Sequence, residues 1–253
     1  MTTPRTPRDW DAAAYDRIAD PQARWGSAVL AQLPLRGDET VLDAGCGSGR
    51  VTQMLAERLP RGRVVALDAS PSMIDEARAR LARFGDRVAY VVADLGRPLP
   101  LGPLAPVDAI LSTATFHWVP DHDALFTNLG EILRPGGRLV AQCGGSGNIA
   151  SIRAVLATIG DGWIGTGHFE TPEATATRLA RAGFVDIETW LHPEPTRFEP
   201  GEPFETFLRT VVLGNHVDRL PPTERDAFVA DVAGRLGKPE IDYVRLNIVA
   251  RRG

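Results

Sequence analysis

Three carboxylates, Asp43, Asp68 and Asp94, each close a short β-branched apolar run, and the first opens the glycine-rich turn Asp43-Ala44-Gly45-Cys46-Gly47-Ser48-Gly49. Gly45, Gly47 and Gly49 permit tight backbone angles and close approach of a ligand. A nicotinamide site would place glycine or alanine at the sixth position of Gly-x-Gly-x-x-Gly/Ala, where this chain has Arg50. Asp43 would repel a pyrophosphate and attract a cation; its plain alternative is to accept backbone hydrogen bonds in the turn. Asp68 is placed to accept from both hydroxyls of a ribose, or merely to shape the turn ahead of Pro71. Asp94 can accept from an adenine amino group while the Leu95 amide meets a ring nitrogen. Met73 suits either the adenine face or the core. Taken together, the three acids have the spacing of one adenosine.

These residues need strand ends to hold them. Short apolar runs at 41–42, 64–68, 88–94, 107–113 and 138–143 read as strands, and helical patterns follow at 51–58 and 72–84. Asp121 or Asp123 caps a further helix that stops before Arg134-Pro135-Gly136-Gly137. Repeated strand-helix order predicts a doubly wound α/β sheet with its ligand crevice at the carboxyl ends of the strands. Later come helices at 149–159 and from Thr171 to a stop at Gly183, strands at 184–191 and 243–250, and helices at 202–217 and 223–236. The last pair reads as a lid over the crevice. We expect a single domain over 1–253, with a cofactor-binding core at about 38–143 and a helical insertion at about 192–240.

Through VLDAGCGSG, VVALDASPSMI, VVADL and LRPGG the chain resembles the class I S-adenosylmethionine-dependent methyltransferases over residues 38–143. The resemblance implies a mostly parallel seven-stranded sheet whose last strand is antiparallel, with S-adenosylmethionine as cofactor. It carries nucleotide-binding roles onto Asp43, Gly45, Gly47, Asp68, Met73, Asp94 and Leu95. Ala44, Ala69, Ala93, Thr113 and Phe116 complete the implied lining. Tyr15, Gln22 and Trp25 match the segment that closes over the cofactor in many relatives; packing of a helix on the sheet is the other reading of them.

On the acceptor side, Thr115-Phe116-His117-Trp118-Val119-Pro120-Asp121 follows the fourth strand, where the methyl group should point. His117 is the candidate general base, and with Trp118 it can instead shape the pocket. Methyl transfer needs mainly alignment; a carboxylate acceptor needs no base, whereas a hydroxyl acceptor makes His117 important. FHWVPDHDALF and the closing LNIVARR resemble the trans-aconitate methyltransferase branch, which implies a small carboxylate acceptor and a methyl ester product. Where that branch tends to carry Met-Pro-Asp-Asn, this chain has Cys143-Gly144-Gly145-Ser146. Arg197, Arg209, His168 and His216 are candidate ligands for an acidic acceptor. Trp163, Trp190, Phe198, Phe204 and Phe207 can line an apolar pocket for a larger acceptor methylated at O, N or C.

Composition narrows the partners. The 253 residues are 43% hydrophobic and 24% charged, with a formal net charge of −4, values of an ordinary globular protein. No run of Lys or Arg offers a nucleic-acid footprint, so a small-molecule substrate is expected. Cys46 and Cys143 lack metal-site spacing, no metal is expected, and a reducing cytoplasm suits them. Charges in the first twenty residues do not suit a secretory signal, and no apolar run approaches a membrane span. Monomer and homodimer are both compatible. Besides a methyltransferase, a nicotinamide dehydrogenase and a non-catalytic cofactor-binding protein stand as alternatives; Arg50 and Asp43 argue against the dehydrogenase.

Overall fold

A computed structural model describes Asp9 and residues 20–253, with side chains described at Asp9 and from Trp25 onward. Tyr15 and the Gln22 side chain therefore lie outside the described residues. The chain runs α1 (Asp20–Ala31), β1 (Thr40–Ala44), α2 (Arg50–Arg58), β2 (Arg63–Asp68), α3 (Pro71–Leu81), β3 (Val88–Val92), β4 (Val107–Thr113), α4 (His122–Ile132) and β5 (Leu133–Gly144). It continues through α5 (Ala150–Leu156), α6 (Pro172–Arg181), β6 (Phe184–Pro193), β7 (Thr196–Arg197), α7 (Glu202–Phe207), α8 (Gly214–Val217), α9 (Arg225–Leu236), β8 (Glu240–Ile241) and β9 (Val244–Arg252). Seven strands pair in the order β3-β2-β1-β4-β5-β9-β6, and β9 is antiparallel to both of its neighbours. This is the expected sheet, last strand included.

Strand alternation sorts the apolar residues to two faces. Val41, Val64, Ala66, Ala109 and Val140 meet Val29 of α1, Leu33 just beyond its end, Leu55 of α2 and Ile74 of α3. Leu42, Leu67, Ile110 and Leu139 pack against Leu125, Phe126 and Leu129 of α4 and Leu179 of α6. A third cluster joins Trp25 to Ile152 and Leu156 of α5 and to Phe204, Phe207, Val217, Val229 and Val232 of the insertion. α1 thus ties the insertion to the sheet. No helix among the described residues is long and apolar enough to cross a membrane.

Three boundaries differ from expectation. β3 stops at Val92, so Asp94 lies in the following turn, where its Oδ1 accepts from the Gly96 amide at 2.8 Å. β5 begins at Leu133 and carries Pro135-Gly136-Gly137 within it, because a register shift against β4, from Val107↔Leu133 to Ala109↔Arg138, absorbs the extra residues. The helix expected at 202–217 is broken: α7 ends at Phe207, a π-turn spans Leu208–Val212, and α8 follows. Thr210, Val211 and Val212 are β-branched and fit a regular helix poorly.

Candidate active site

β1 delivers Asp43 to the strand end, 1% exposed. Its Oδ2 accepts from Thr52 Oγ1 at 2.7 Å, while Oδ1 has no partner among the described residues. Burial, set against the Thr52 hydrogen bond and reinforced by the charge of Asp68, pushes its pKa up to about 7. A buried carboxylate with one oxygen left over is poised for a cation.

The turn after it is shaped by left-handed glycines, Gly45 at φ +86° and Gly47 at +53°. A Cβ on Gly45 would stand 2.1 Å from Thr115 Oγ1, whereas one on Gly47 would meet nothing within 4 Å. Gly45 therefore lets the turn touch the loop after β4, and Gly47 faces open space. Both turn amides of Gly45 and Cys46 donate to the Leu67 carbonyl, at 2.8 and 2.9 Å, which locks β1's exit to β2.

Asp68 accepts from the Gly47 amide through Oδ2 and from the Ser70 amide through Oδ1, both at 2.9 Å. Burial raises its pKa against those bonds. The turn role and the ribose role are compatible, since each carboxylate oxygen has a second lone pair. Ser70 caps α3 by accepting from the Met73 amide, and Asp9 Oδ1 accepts from Ser70 Oγ at 2.5 Å and Ser72 Oγ at 2.8 Å. Met73 is buried, Ala69 and Ala93 are half-buried, and the Ala93 amide donates to the Asp68 carbonyl at 3.0 Å. The Leu95 side chain enters the core and its carbonyl accepts from Asn128 Nδ2 at 3.0 Å. Asp43, the glycine turn, Asp68 and Asp94 so lie at neighbouring exits of β1, β2 and β3.

β4 ends at Thr113, and Thr115 Oγ1 bridges the Thr113 and Gly45 carbonyls at 2.9 and 3.2 Å. A 3-10 turn over Phe116–Trp118 follows, with Phe116 buried edge-on against Phe126. His117 Nδ1 accepts from the Gly144 amide at 3.3 Å, so the ring's proton sits on Nε2. Its ring stacks on Phe169, centroids 5.8 Å apart, and leans on Trp118. Burial, then the charge of Arg245, then His122, hold its pKa well below the ordinary histidine value. His117 is a neutral group here and a weak base. Trp118 and Phe169 line a small cavity of about 30 Å³ with Ile149, Leu156, Thr166 and His216 beneath the insertion.

The other acceptor-side candidates are dispersed. Arg197 is 88% exposed and pairs with Glu240 at 2.9 Å, and Arg209 pairs with Asp226 of α9 at 2.5 Å. Both arginines expected to bind an anion are thus held in surface ion pairs of the insertion, while His168 pairs with Glu170 at 2.7 Å and His216 Nε2 lies 2.9 Å from the Trp163 carbonyl. Trp163 rests on His216, centroids 4.4 Å apart, under the Arg219 guanidinium. Phe204 and Phe207 are core, Phe198 packs on them, and Trp190 is 39% exposed on the edge strand. Trp190 lines a larger cavity of about 350 Å³ with Trp25, Gln142, His192 and Asn247, which shares no residue with the glycine turn or the three acids.

Sequence reasoning passed over His122 and Arg245. His122 Nε2 donates to the Phe116 carbonyl at 2.9 Å and so braces the acceptor loop. His122, His168 and Glu170 gather three ligand-type atoms within 4.8 Å of one another. Arg178 Nη1, 3.0 Å from the Glu170 carboxylate, already supplies a positive charge at that place. Arg245 is buried at the start of β9, opposite Gly144.

Residues 41–137 match the methyltransferase domain family. The trans-aconitate 2-methyltransferase of Methylobacterium radiotolerans is 32% identical over 96% of this chain and 98% of its own, and that of Azoarcus sp. is 39% identical over 87% of each. The chain belongs to the trans-aconitate 2-methyltransferase family. Among solved structures, phosphoethanolamine N-methyltransferase 2 of Haemonchus contortus, with S-adenosylhomocysteine bound, superposes with a TM-score of 0.63. That match is 20% identical and covers 95% of this chain and 56% of the longer neighbour; it speaks for the fold.

The chain is thus an S-adenosylmethionine-dependent methyltransferase acting on a small molecule. The orphaned Asp43 oxygen and the open face of Gly47 fit that cofactor.

Proposed function

We propose that the enzyme methylates a carboxylate oxygen of a small polycarboxylic acid, with trans-aconitate, the acceptor in its relatives' names, as the first candidate. The observation that carries this reading is the state of His117. A hydroxyl acceptor would need a base, and the buried histidine beside the strand ends has its one ring lone pair, on Nδ1, taken by the Gly144 amide and its pKa held well below the ordinary value by burial. A carboxylate arrives already ionised and needs none.

When bound, S-adenosylmethionine supplies an activated methyl group on a sulfonium leaving group. The chain's residues then have to align the acceptor and exclude water. Asp43 answers the ligand's positive charge. Gly45 and Gly47 would admit its chain, Asp68 and Ala69 would hold the ribose, and Met73, Ala93, Asp94 and Leu95 would frame the adenine. Trp25 would close over it, Thr113 and Phe116 would line the space for its methyl group, and His117 with Trp118 would wall the acceptor space. A cytoplasmic setting is supported by the buried, unpaired thiols Cys46 and Cys143.

The reading is tested by incubating the full chain with S-adenosylmethionine and trans-aconitate and following the acid by mass spectrometry. A single added methyl group on trans-aconitate is the expected product; no methyl gain on it, with transfer to an amine or phenol from a metabolite extract, would remove the acceptor from the account.

A further inference from the structure

A cavity of about 350 Å³ opens on the α1 face of the sheet, and Trp25, Ala28, Gln142, Trp190 and Asn247 are among its walls. That volume is in the range of small-molecule sites. Strand pairing fixes where it lies. Val41, Leu111 and Val140 belong to the apolar cluster of this face, so the period of two turns Asp43, Thr113 and Gln142 to it as well. Thr113 is in register with Gln142, Gln142 with Asn247, and Asn247 with Trp190. The cavity floor thus starts one strand spacing, about 4.8 Å, from the end of β4, on the face that also carries Asp43.

The polar groups of the floor share one sense. Arg245 Nε donates to Gln142 Oε1 at 3.3 Å, and because a guanidinium only donates, this fixes which way the Gln142 amide is turned. Gln142 Nε2 then donates to Asn247 Oδ1 at 2.8 Å, and Asn247 Nδ2 to the Arg245 carbonyl at 3.4 Å. Both amide oxygens are turned to protein donors, and each nitrogen keeps one N–H. Gln142 and Asn247 are 9% and 4% exposed, and the Trp25 indole N–H is buried with no partner among the described residues. Spare donors of this kind suit a group that only accepts, such as a carboxylate, and the indole walls suit the carbon frame between its carboxylates. The carboxylate of Glu194, also in the lining, stands 3.0 Å from His192 Nε2. We infer that this cavity holds the unreacting end of the acceptor, with one carboxylate on the N–H groups of Gln142 and Asn247, so that the reacting carboxylate reaches Thr113 and the loop of His117 and Trp118. This rests on the polycarboxylate reading of the acceptor and deepens it. Selectivity for acids with more than one carboxylate follows, since an acid with one cannot hold both places.

The test uses the full chain loaded with S-adenosylhomocysteine and titrated with trans-aconitate in a calorimeter, as wild type, Ala28→Phe and Gln142→Glu. Ala28 is exposed on α1, so a phenyl ring there fills the cavity from its rim without entering the core. Gln142→Glu keeps an oxygen for Arg245 and puts a charged oxygen where the spare N–H was. Each variant should raise the Kd for trans-aconitate at least tenfold and leave the Kd for S-adenosylhomocysteine within about threefold; Ala28→Phe carries the test alone if Gln142→Glu does not fold. Unchanged trans-aconitate affinity in either folded variant, an equal loss for both ligands, or a wild type that does not bind trans-aconitate would each overturn the subsite. Methyl transfer is read separately. A wild type that binds the acid in this cavity without methylating it would sink the functional reading and leave the subsite standing, whereas methylation with binding unaltered in both variants would do the reverse.

Discussion

Asp43 combines burial, one satisfied oxygen and one orphaned oxygen, and this makes cofactor binding a proton-linked event. Its pKa of about 7 lies above the ordinary carboxylate value, so the empty fold is favoured by the protonated form, an advantage lost as pH rises from about 4 through 7. A cation beside Oδ1 favours the ionised form. Affinity for S-adenosylmethionine should therefore rise from pH 5.5 to about 7 and then level off, with proton release seen by calorimetry in buffers of different ionisation enthalpy. Flat affinity with no proton exchange would take Asp43 out of the site. Gly45 is decided by sterics: Gly45→Ala combines a left-handed φ of +86° with a clash on Thr115. It should cost about 2–4 kcal/mol in chemical denaturation. For His117, a Gln replacement should leave kcat on a carboxylate acceptor within about tenfold, because no proton has to be taken; a loss beyond a thousandfold with acceptor binding intact would mean base catalysis.

At the scale of elements, the parts of the site built from local signals were legible and those built from tertiary neighbours were not. The glycine turn, Asp43 and Asp68 announce themselves, since a β-branched run followed by glycine and an acid has few other uses. Asp94 was read as the end of its strand, which in fact stops two residues earlier, and in the turn that follows its side chain accepts from the Gly96 amide. Arg197 and Arg209 looked like acceptor ligands because arginine suits anions; Glu240 and Asp226, distant in sequence, claim them. Arg245 escaped notice for the opposite reason. In an alternating strand a charge reads as solvent-facing, whereas here Trp25 of α1 lies over the Arg245 guanidinium and the residue is buried. The same packing makes Trp25 the link between the sheet and the insertion. Trp25→Ala should cost about 3–5 kcal/mol and lower Tm by roughly 6–12 °C in a thermal melt; a change below about 2 °C would mean that the insertion is held by other contacts.

For the whole molecule, the order of strands was readable because parallel pairs need crossovers and the sequence alternates accordingly. The antiparallel last strand came from family resemblance, and the pairing of β9 between β5 and β6 bears it out. That topology brings the start of β9 to the same edge as the ends of β1, β2 and β4, so cofactor turn, acceptor loop and buried arginine converge from distant stretches of chain. The central claim is that this edge makes a methyl ester. Its most direct measurement is to give the enzyme S-adenosylmethionine labelled in the methyl group, with trans-aconitate as acceptor, and treat the product with mild alkali. The account predicts that the label leaves as methanol, as an ester requires; label that stays on the acceptor through alkali would contradict it.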